Sequence, residues 1–218
     1  MLPPGIEYWA ARPATVQTVL GGYGCVSPSD IRESDAFLRA CFPAVAEPPG
    51  GPHRPLAAAD LGAGVGRVTQ NLLTRHFDSV DVFEPVQHFL SEAEARVTTA
   101  PAPERPVAVH CVPLQDFEPP PARYDVIWAQ WCLGHLPEAD LVRFFRRCQA
   151  GLKPGGILVV KENNCASGEE LDEEDSSLTR SDDTFKALFA QAGLRLISTR
   201  RQKNFPAELY AVQMYALQ

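Results

Sequence analysis

From Pro55 to the end of the 218-residue chain, short apolar runs alternate with amphipathic segments of helical periodicity. Strands that alternate with helices predict a parallel sheet covered by helices on both faces. The seven predicted strands are Leu56–Leu61, Ser79–Phe83, Val107–Val112, Tyr124–Ala129, Ile157–Lys161, Leu194–Thr199 and Leu209–Leu217. The predicted helices include Arg67–Arg75, Phe89–Thr98, Ala139–Leu152 and Asp182–Ala192. Ligands of such sheets bind beyond the carboxyl ends of the strands, so we expect the chemistry there.

The first fifty-five residues lack this alternation, and we expect them to form an N-terminal helical lid on the core. The segment Ser27–Asp30 predicts a helix start, because small polar residues and a proline precede an apolar periodic stretch. The segment Glu47–Pro52 predicts a loop, because consecutive prolines and glycines cannot continue a helix. We therefore expect one structural unit in two parts, residues 1–55 and residues 56–218.

Composition excludes several classes of protein. The formal net charge of -7 argues against a general nucleic-acid binder. No apolar run approaches the ~18 residues that span a bilayer, and the N-terminus lacks the basic and apolar regions of a secretion signal. The six cysteines include no CxxC pair, so we expect no metal site. The prediction is an intracellular protein, cytoplasmic or nuclear, without nucleic-acid or membrane partners.

The turn after the first predicted strand is rich in glycine. Its spacing is Asp60-Leu61-Gly62-Ala63-Gly64-Val65-Gly66-Arg67. Glycines suit a tight turn that a ligand approaches closely. A dinucleotide site requires GxGxxG, and Arg67 stands at the last position of that pattern. The spacing acid-x-Gly-x-Gly-x-Gly is instead typical of seven-stranded methyltransferases that use S-adenosylmethionine.

Further features follow this turn in the order expected of that class. Glu84 ends the second predicted strand, where its carboxylate can accept both ribose hydroxyls of the cofactor. Leu114 and Gln115, after the third strand, are placed to flank the adenine. Arg67 has two interpretations. It can pair with the methionyl carboxylate of the cofactor, or it can be a helix N-terminal arginine that faces solvent.

A methyltransferase fold does not name its acceptor, which must be inferred from other segments. One unusual segment follows the fourth strand and contains Gln130, Trp131 and His135, which are candidates to line the reaction centre. A free α-amino group has a pKa of ~7.7–8.0, so a nearby base such as His135 or a carboxylate helps to deprotonate it. The alternative for His135 is a buried histidine that packs under the sheet.

Aromatic and acidic residues elsewhere suit an amine that becomes a methylated cation. Indole faces and carboxylates attract cations. Trp9 is one candidate, with a core residue as its alternative, and the acidic stretch Glu169–Asp175 is another, with a solvated loop as its alternative. The residues alone therefore indicate a methyltransferase with an acidic, aromatic acceptor site.

At these residues the sequence resembles the eukaryotic protein N-terminal Xaa-Pro-Lys α-N-methyltransferases. The similar segments are Tyr8-Trp9, LGGYG, DLGAGVGRVT, LQDF, YDVIWAQW, GHL, FFRRC, KEN, LDEEDSS and PAELY. The resemblance implies a seven-stranded Rossmann-like class I methyltransferase sheet with helices on both faces and an N-terminal helical extension. It also implies methyl transfer from S-adenosylmethionine to the free α-amino group of proteins that begin (Ala/Ser/Pro/Gly)-Pro-Lys after removal of the initiator Met. The products would be mono-, di- or trimethylated N-termini.

The resemblance also implies roles for individual residues. The residues expected to hold the cofactor are Gly62, Gly64, Gly66, Arg67, Glu84, Leu114, Gln115 and Gln130. Glu84 stands where an aspartate is usual, and its extra methylene should preserve the ribose contact. The residues expected to bind the substrate are Trp9, Leu20, Val26, Trp131, Asn163, Asp172, Asp175, Ser177 and Tyr210. Asp175 and His135 would assist deprotonation, and Asn163 would fix the amine near the sulfonium.

The expected partners are N-terminal protein tails, with ribosomal and chromatin-associated proteins as candidates. Two alternatives stay open at this point. A small-molecule amine N-methyltransferase would use the same glycine-rich turn, and a non-catalytic module would bind N-termini without turnover. An NAD oxidoreductase is a weaker alternative, because Arg67 spoils the glycine spacing.

Overall fold

The structure is a computed structural model that describes residues 4–46, 54–99 and 105–218. The strands are β1 (Ala57–Leu61), β2 (Ser79–Phe83), β3 (Val107–His110), β4 (Tyr124–Gln130), β5 (Leu152–Asn164), β6 (Glu169–Asp172), β7 (Ser177–Arg180), β8 (Leu196–Arg201) and β9 (Ala211–Leu217). Seven of them form one sheet in the order β3-β2-β1-β4-β5-β9-β8, and β6 and β7 form a separate hairpin. The seven predicted strands are therefore confirmed, with ends shifted by a few residues.

Among the described residues, three α-helices precede β1 and four lie between later strands. They are α1 (Pro4–Ala10), α2 (Val16–Val19), α3 (Ser27–Cys41), α4 (Thr74–His76), α5 (Gln87–Val97), α6 (Glu138–Gly151) and α7 (Asp182–Ala192). A π-helical turn, Thr69–Leu73, leads into α4. The four predicted helices and the helix start at Ser27 are confirmed. The predicted loop Glu47–Pro52 lies outside the described residues.

Two details differ from the prediction. The last strand, β9, is antiparallel to both of its neighbours, β5 and β8. Residues 202–210 between β8 and β9 contain no helix, so the chain reverses directly instead of crossing over. The acidic stretch is also not simply a solvated loop, because Glu169–Asp172 pairs with Ser177–Arg180 as an antiparallel hairpin.

The sheet is buried on both faces, as expected for parallel strands. Every residue of β1 and of β4 is buried. One face packs against aromatic residues of α6 and α7, among them Phe144 and Phe189. The other face packs against Phe37 and Leu38 of α3, which are fully buried. The N-terminal segment therefore supplies part of the core, and the division at residue 55 stays a prediction.

Two further elements lie at the carboxyl ends of the strands. The first is the start of the chain, where Trp9 and Val19 pack against a small cluster that includes Phe89. The second is the β6–β7 hairpin, whose Glu174 accepts hydrogen bonds from Tyr8 and Arg12 at 3.1 and 2.9 Å. These contacts close one side of the space beyond the carboxyl ends of the strands. No helix within the described ranges is long and apolar enough to cross a membrane.

Candidate active site

The glycine-rich turn joins β1 to the helical segment that begins at Arg67. Gly62, Gly64 and Gly66 have φ values of 63°, 56° and 72°, a region that L side chains rarely adopt. A Cβ atom on Gly62 would lie 2.4 Å from Cβ of Cys132. Glycine at this position therefore lets the turn approach the end of β4.

A cavity of about 270 Å³ lies over this turn. Its lining includes seven of the residues predicted to hold the cofactor: Gly62, Gly64, Arg67, Glu84, Leu114, Gln115 and Gln130. Gly66 is not among the lining residues, because it packs against α5, where an added Cβ would lie 2.8 Å from Cβ of Ala93. The sequence analysis did not find Val86 and Phe89, which add apolar surface to the same cavity.

Two buried carboxylates line the floor of this cavity. The two carboxylate oxygens of Glu84 accept hydrogen bonds from the backbone N–H groups of Gly64 and Val86 at 2.8 and 2.9 Å. Burial raises the pKa of Glu84 to about 7 and the pKa of Asp60 to about 6. A buried carboxylate beside a glycine cradle fits a ligand that donates paired hydroxyl groups, as a ribose does.

Arg67 is buried rather than solvent-facing, so the second interpretation of this residue is wrong. Its Nη1 donates to Oδ2 of Asp30 at 2.6 Å. Asp30 also pairs with Nζ of Lys161 at 2.5 Å and accepts a hydrogen bond from Nε2 of Gln130 at 3.0 Å. The two cations hold the pKa of Asp30 below its usual value despite burial. This cluster connects α3 to two residues of the cavity, Arg67 and Gln130.

A second cavity, of about 300 Å³, adjoins the first. The residues that line both cavities are Trp9, Val19, Leu20, Trp131 and His135. The predicted substrate residues that line the second cavity are Trp9, Leu20, Val26, Trp131, Asn163, Asp175, Ser177 and Tyr210. Asp172 is exposed and does not line the cavity. Leu178 and Phe205, which no sequence pattern indicated, also line the second cavity, as does Glu162 of the KEN segment.

His135 lies where the two cavities meet, in the single turn Leu133–His135 after β4. The alternative of a histidine packed under the sheet is therefore wrong. Its Nε2 accepts a hydrogen bond from Nε1 of Trp9 at 3.1 Å and lies 4.0 Å from Oδ2 of Asp175. Burial lowers the pKa of His135, and the Asp175 carboxylate acts in the opposite direction. The imidazole therefore lies beside a carboxylate in a setting where burial favours its neutral form.

Trp131 has a positive φ of 54°, which is unusual for a bulky residue. Its indole Nε1 donates to Oδ1 of Asn163 at 3.1 Å. The guanidinium of Arg67 lies 5.7 Å from the centre of the indole ring. Strained conformations of this kind concentrate at functional sites, where the surrounding structure maintains them. Trp131 and Asn163 therefore form one fixed wall of the second cavity.

The β6–β7 hairpin forms the acidic side of the second cavity. Oδ1 of Asp175 accepts a hydrogen bond from the backbone N–H of Ser177 at 2.9 Å, which leaves the other carboxylate oxygen near His135. The hydroxyl of Tyr210, which lines the cavity, donates to Oε2 of Glu170 in β6 at 2.6 Å. The arrangement can receive a cation and can take a proton from it.

Comparison with known proteins agrees with this geometry. The sequence model of the AdoMet dependent proline di-methyltransferase family matches residues 2–218. This chain belongs to that family. The chain is thus an S-adenosylmethionine-dependent methyltransferase, and an NAD oxidoreductase is excluded.

Individual relatives are similar over nearly the whole of this methyltransferase. The alpha N-terminal protein methyltransferase 1 of Oryza sativa subsp. indica is 50% identical over 216 residues, which cover 97% of this chain and 69% of the relative. The N-terminal Xaa-Pro-Lys N-methyltransferase 1-B of Xenopus laevis is 40% identical over 211 residues, which cover 97% of this chain and 92% of the relative. A solved SAM-dependent methyltransferase from Leishmania major matches with a TM-score of 0.87 at 40% identity and covers 98% of this chain and 81% of that chain.

The family assignment confirms the predicted enzyme class, the class I methyltransferase fold and S-adenosylmethionine as the cofactor. The residues of the first cavity fit this cofactor, because Glu84 offers a buried acceptor and Gly62 leaves room for close approach. Within the described ranges, no three His, Cys, Asp or Glu side chains form a group that could hold a metal ion. The roles of individual residues stay predictions.

Proposed function

We propose that this methyltransferase methylates the free α-amino group of proteins that begin (Ala/Ser/Pro/Gly)-Pro-Lys after removal of the initiator Met, giving mono-, di- or trimethylated N-termini. The observation that carries the proposal is the junction of the two cavities at Trp131 and His135. One cavity suits the cofactor, and the other is aromatic on one side and acidic on the other. The names of the relatives from Oryza sativa and Xenopus laevis specify N-terminal methylation and support the same acceptor.

The first cavity would hold the cofactor. Glu84 would accept the ribose hydroxyls, and Leu114 and Gln115 would flank the adenine. Arg67 and Gln130, fixed by Asp30, would face the methionyl end. When bound, S-adenosylmethionine supplies a methyl group on a sulfonium, which passes to the lone pair of the acceptor nitrogen and leaves S-adenosylhomocysteine.

The second cavity would position and deprotonate the acceptor. Asn163 would bind the first carbonyl group, and its own orientation is fixed by Trp131. A proton would leave the α-ammonium group for Asp175, or for Nε2 of the neutral His135 once the Trp9 N–H no longer occupies that nitrogen, and it would then pass to solvent. Holding both reactants in attack geometry would contribute much of the rate.

The walls of the second cavity would recognise the second and third residues of the substrate. Trp131, Leu20 and Val26 present aromatic and apolar surface that suits a rigid proline ring. Asp175 and Ser177, with the exposed Asp172 at the entrance, would receive the basic third residue. Trp9 and Tyr210 would line the channel.

Substrates of this kind include ribosomal and chromatin-associated proteins with basic tails, and the enzyme would meet them in the cytoplasm or the nucleus. The acidic net charge of -7 suits attraction of such tails.

A peptide panel tests the proposal. The protein is incubated with S-adenosylmethionine and a peptide that begins Ser-Pro-Lys, a matched peptide with Gln as third residue, or a small primary amine. We expect mass gains of one or more methyl groups on the Ser-Pro-Lys peptide and much weaker gains on the Gln peptide. Methylation of the small amine alone would establish the small-molecule alternative. Peptide binding without any mass gain would establish the non-catalytic alternative.

A further inference from the structure

Two buried charged side chains hold the backbone of the turn that carries Trp131 and His135. From β5, Oε1 of Glu162 accepts hydrogen bonds from the backbone N–H groups of Cys132 and Leu133, both at 2.9 Å. From β7, Arg180 donates through Nη1 to the carbonyl of Leu133 at 3.2 Å and through Nη2 to the carbonyl of Leu136 at 2.8 Å. Arg180 is fully buried.

The third guanidinium nitrogen of Arg180, Nε, extends this connection into the acidic hairpin. Its Nε donates to Oε1 of Glu169 at 2.7 Å, and the two residues are cross-strand partners in the β6–β7 pair. Asp175 lies in the tight turn of that hairpin. One guanidinium therefore bonds to both elements that meet at the cavity junction, the turn with His135 and the hairpin with Asp175. A planar fork with several donors suits such a bridge, and an ammonium group does not reproduce it.

We propose that Arg180 is a positioning residue that sets the separation between His135 and Asp175, and thereby the ability of this pair to take the proton from the acceptor amine. The inference rests on the proposed function, since it assigns a positioning residue to the same acceptor site.

The charged groups around His135 determine how a displacement of Asp175 would change the pKa of His135. Asp175 faces it from the hairpin, and Glu162 lines the same cavity from β5. From α1, the neighbouring group is the uncharged indole of Trp9. The pKa of His135 is lowered by burial and raised by Asp175. If Asp175 moves away, His135 becomes a weaker base, and the enzyme then depends on solution pH to deprotonate the amine.

Arg147, beside the first cavity, offers a matched control for the substitution at Arg180. Arg147 also binds backbone carbonyls of a single turn, Leu114–Asp116. Its Nε donates to the carbonyl of Phe117 at 2.7 Å, and its Nη2 donates to the carbonyls of Leu114 and Gln115 at 3.0 and 2.9 Å. The same substitution at Arg147 should therefore disturb the turn that flanks the adenine and leave the acceptor pair in place.

The test compares Arg180→Lys with Arg147→Lys in the full-length protein. Affinity for S-adenosylhomocysteine is measured by calorimetry, and kcat and KM for the Ser-Pro-Lys peptide are measured from pH 6.5 to pH 9.5. Because misplacement of a reacting group by ~1 Å can cost about 100-fold, we expect Arg180→Lys to reduce kcat about 10- to 100-fold near neutral pH. The loss should shrink as pH rises, while the affinity for S-adenosylhomocysteine changes less than about twofold. For Arg147→Lys we expect weaker binding of S-adenosylhomocysteine and an unshifted pH profile of kcat.

Other outcomes would overturn either this proposal or the proposed function. A pH profile of Arg180→Lys that superimposes on wild type, or equal losses of cofactor binding in both variants, would overturn the proposal. If Arg180→Lys does not fold, Glu169→Ala removes the acceptor of Arg180 Nε on the hairpin and should shift the profile in the same direction, whereas an unshifted profile would overturn the proposal. A wild-type protein that methylates no peptide would instead refute the proposed function.

Discussion

The indole nitrogen of Trp9 donates a hydrogen bond to Nε2 of His135 across 3.1 Å. This bond joins the first helix of the N-terminal segment to the turn at the end of β4, where the two cavities meet. Nδ1 of His135 has no hydrogen-bond partner among the described residues. Because Nε2 accepts this bond, the proton of the neutral imidazole is on Nδ1, and the N-terminal segment contacts the residue to which we assign a role in deprotonation.

Replacing Trp9 by Phe should raise the pKa of His135. The substitution keeps an aromatic wall but removes an N–H donor that stabilises the neutral imidazole, so protonation beside Asp175 becomes easier. Titration of His135 followed by NMR measures the change. Tyr8→Phe is the control, since it removes the bond to Glu174 and should leave the titration of His135 where it is. A Trp9→Phe midpoint equal to that of wild type would contradict the assigned bond.

Asp175→Asn should reduce turnover far more than cofactor affinity. Asp175 lies on the acceptor side, 4.0 Å from His135, and is not among the residues of the first cavity. General-base assistance is typically worth about 10²–10⁴-fold, so a loss of about 100-fold in kcat is expected. Steady-state kinetics and a binding titration with S-adenosylhomocysteine separate the two quantities. Wild-type turnover in the variant would remove Asp175 from the mechanism.

Cofactor binding should weaken as pH falls from 8 to 6. Burial raises the pKa of Glu84 to about 7, so below that pH the carboxyl group is protonated and loses acceptor capacity for the ribose hydroxyls. In Glu84→Gln the affinity should be lower and should change less between pH 8 and pH 7, above the pKa of about 6 of the other buried carboxylate, Asp60. Calorimetric titrations with S-adenosylhomocysteine at three pH values test this. A pH-independent affinity of the wild-type protein would contradict the assignment.

Glu162→Gln should change how stability depends on pH. Burial raises the pKa of Glu162 from 4.5 to about 7, so the folded state favours the protonated form and the ionisation of Glu162 costs stability as pH rises through this interval. By linkage, the cost approaches ~3 kcal/mol above pH 7. Glutamine keeps the acceptor oxygen for Cys132 and Leu133 without the charge. The free energy of unfolding of the variant, relative to wild type, should therefore increase between pH 5 and pH 8, and a constant difference would contradict the prediction.

Gly62→Ala should destabilise the protein and abolish cofactor binding. Besides the positive φ, the new Cβ would lie 2.4 Å from Cβ of Cys132. Gly155→Ala is a matched control, because Gly155 has a φ of 80° but no atom within 4 Å of an added Cβ. The control should cost only the ~1–2 kcal/mol of left-handed strain. Urea unfolding and cofactor titration distinguish the two, and equal costs would contradict the proposed close approach.

Sequence reasoning predicted the strands well because residues such as those of β1 and β4 are buried on both faces and form short apolar runs. The alternation of strands and helices predicted a parallel sheet and did not single out the antiparallel β9, since strand direction depends on the length and content of the connection. The cofactor turn was recognisable because its glycines must take positive φ. A positive φ alone does not distinguish Gly66, which packs on Ala93 and does not line the first cavity, from Gly62 and Gly64, which line it.

No local sequence pattern indicated the buried ionisable side chains around the site. Asp30, Glu162 and Arg180 are stable in the interior because each meets partners from distant parts of the chain. Arg180, for example, binds the carbonyl of Leu133, which is 47 residues earlier. Such pairing depends on the register of β5, β7 and α3, which no local pattern specifies.

Methylation of the α-amino group is tested most directly by the mass of a Ser-Pro-Lys peptide after incubation with the enzyme and S-adenosylmethionine. The same peptide with an acetylated N-terminus is the comparison. We expect one or more added methyl groups on the free peptide, located on the first nitrogen by fragmentation, and none on the acetylated peptide. Equal methylation of both peptides would place the acceptor on a side chain and would contradict the α-amine assignment.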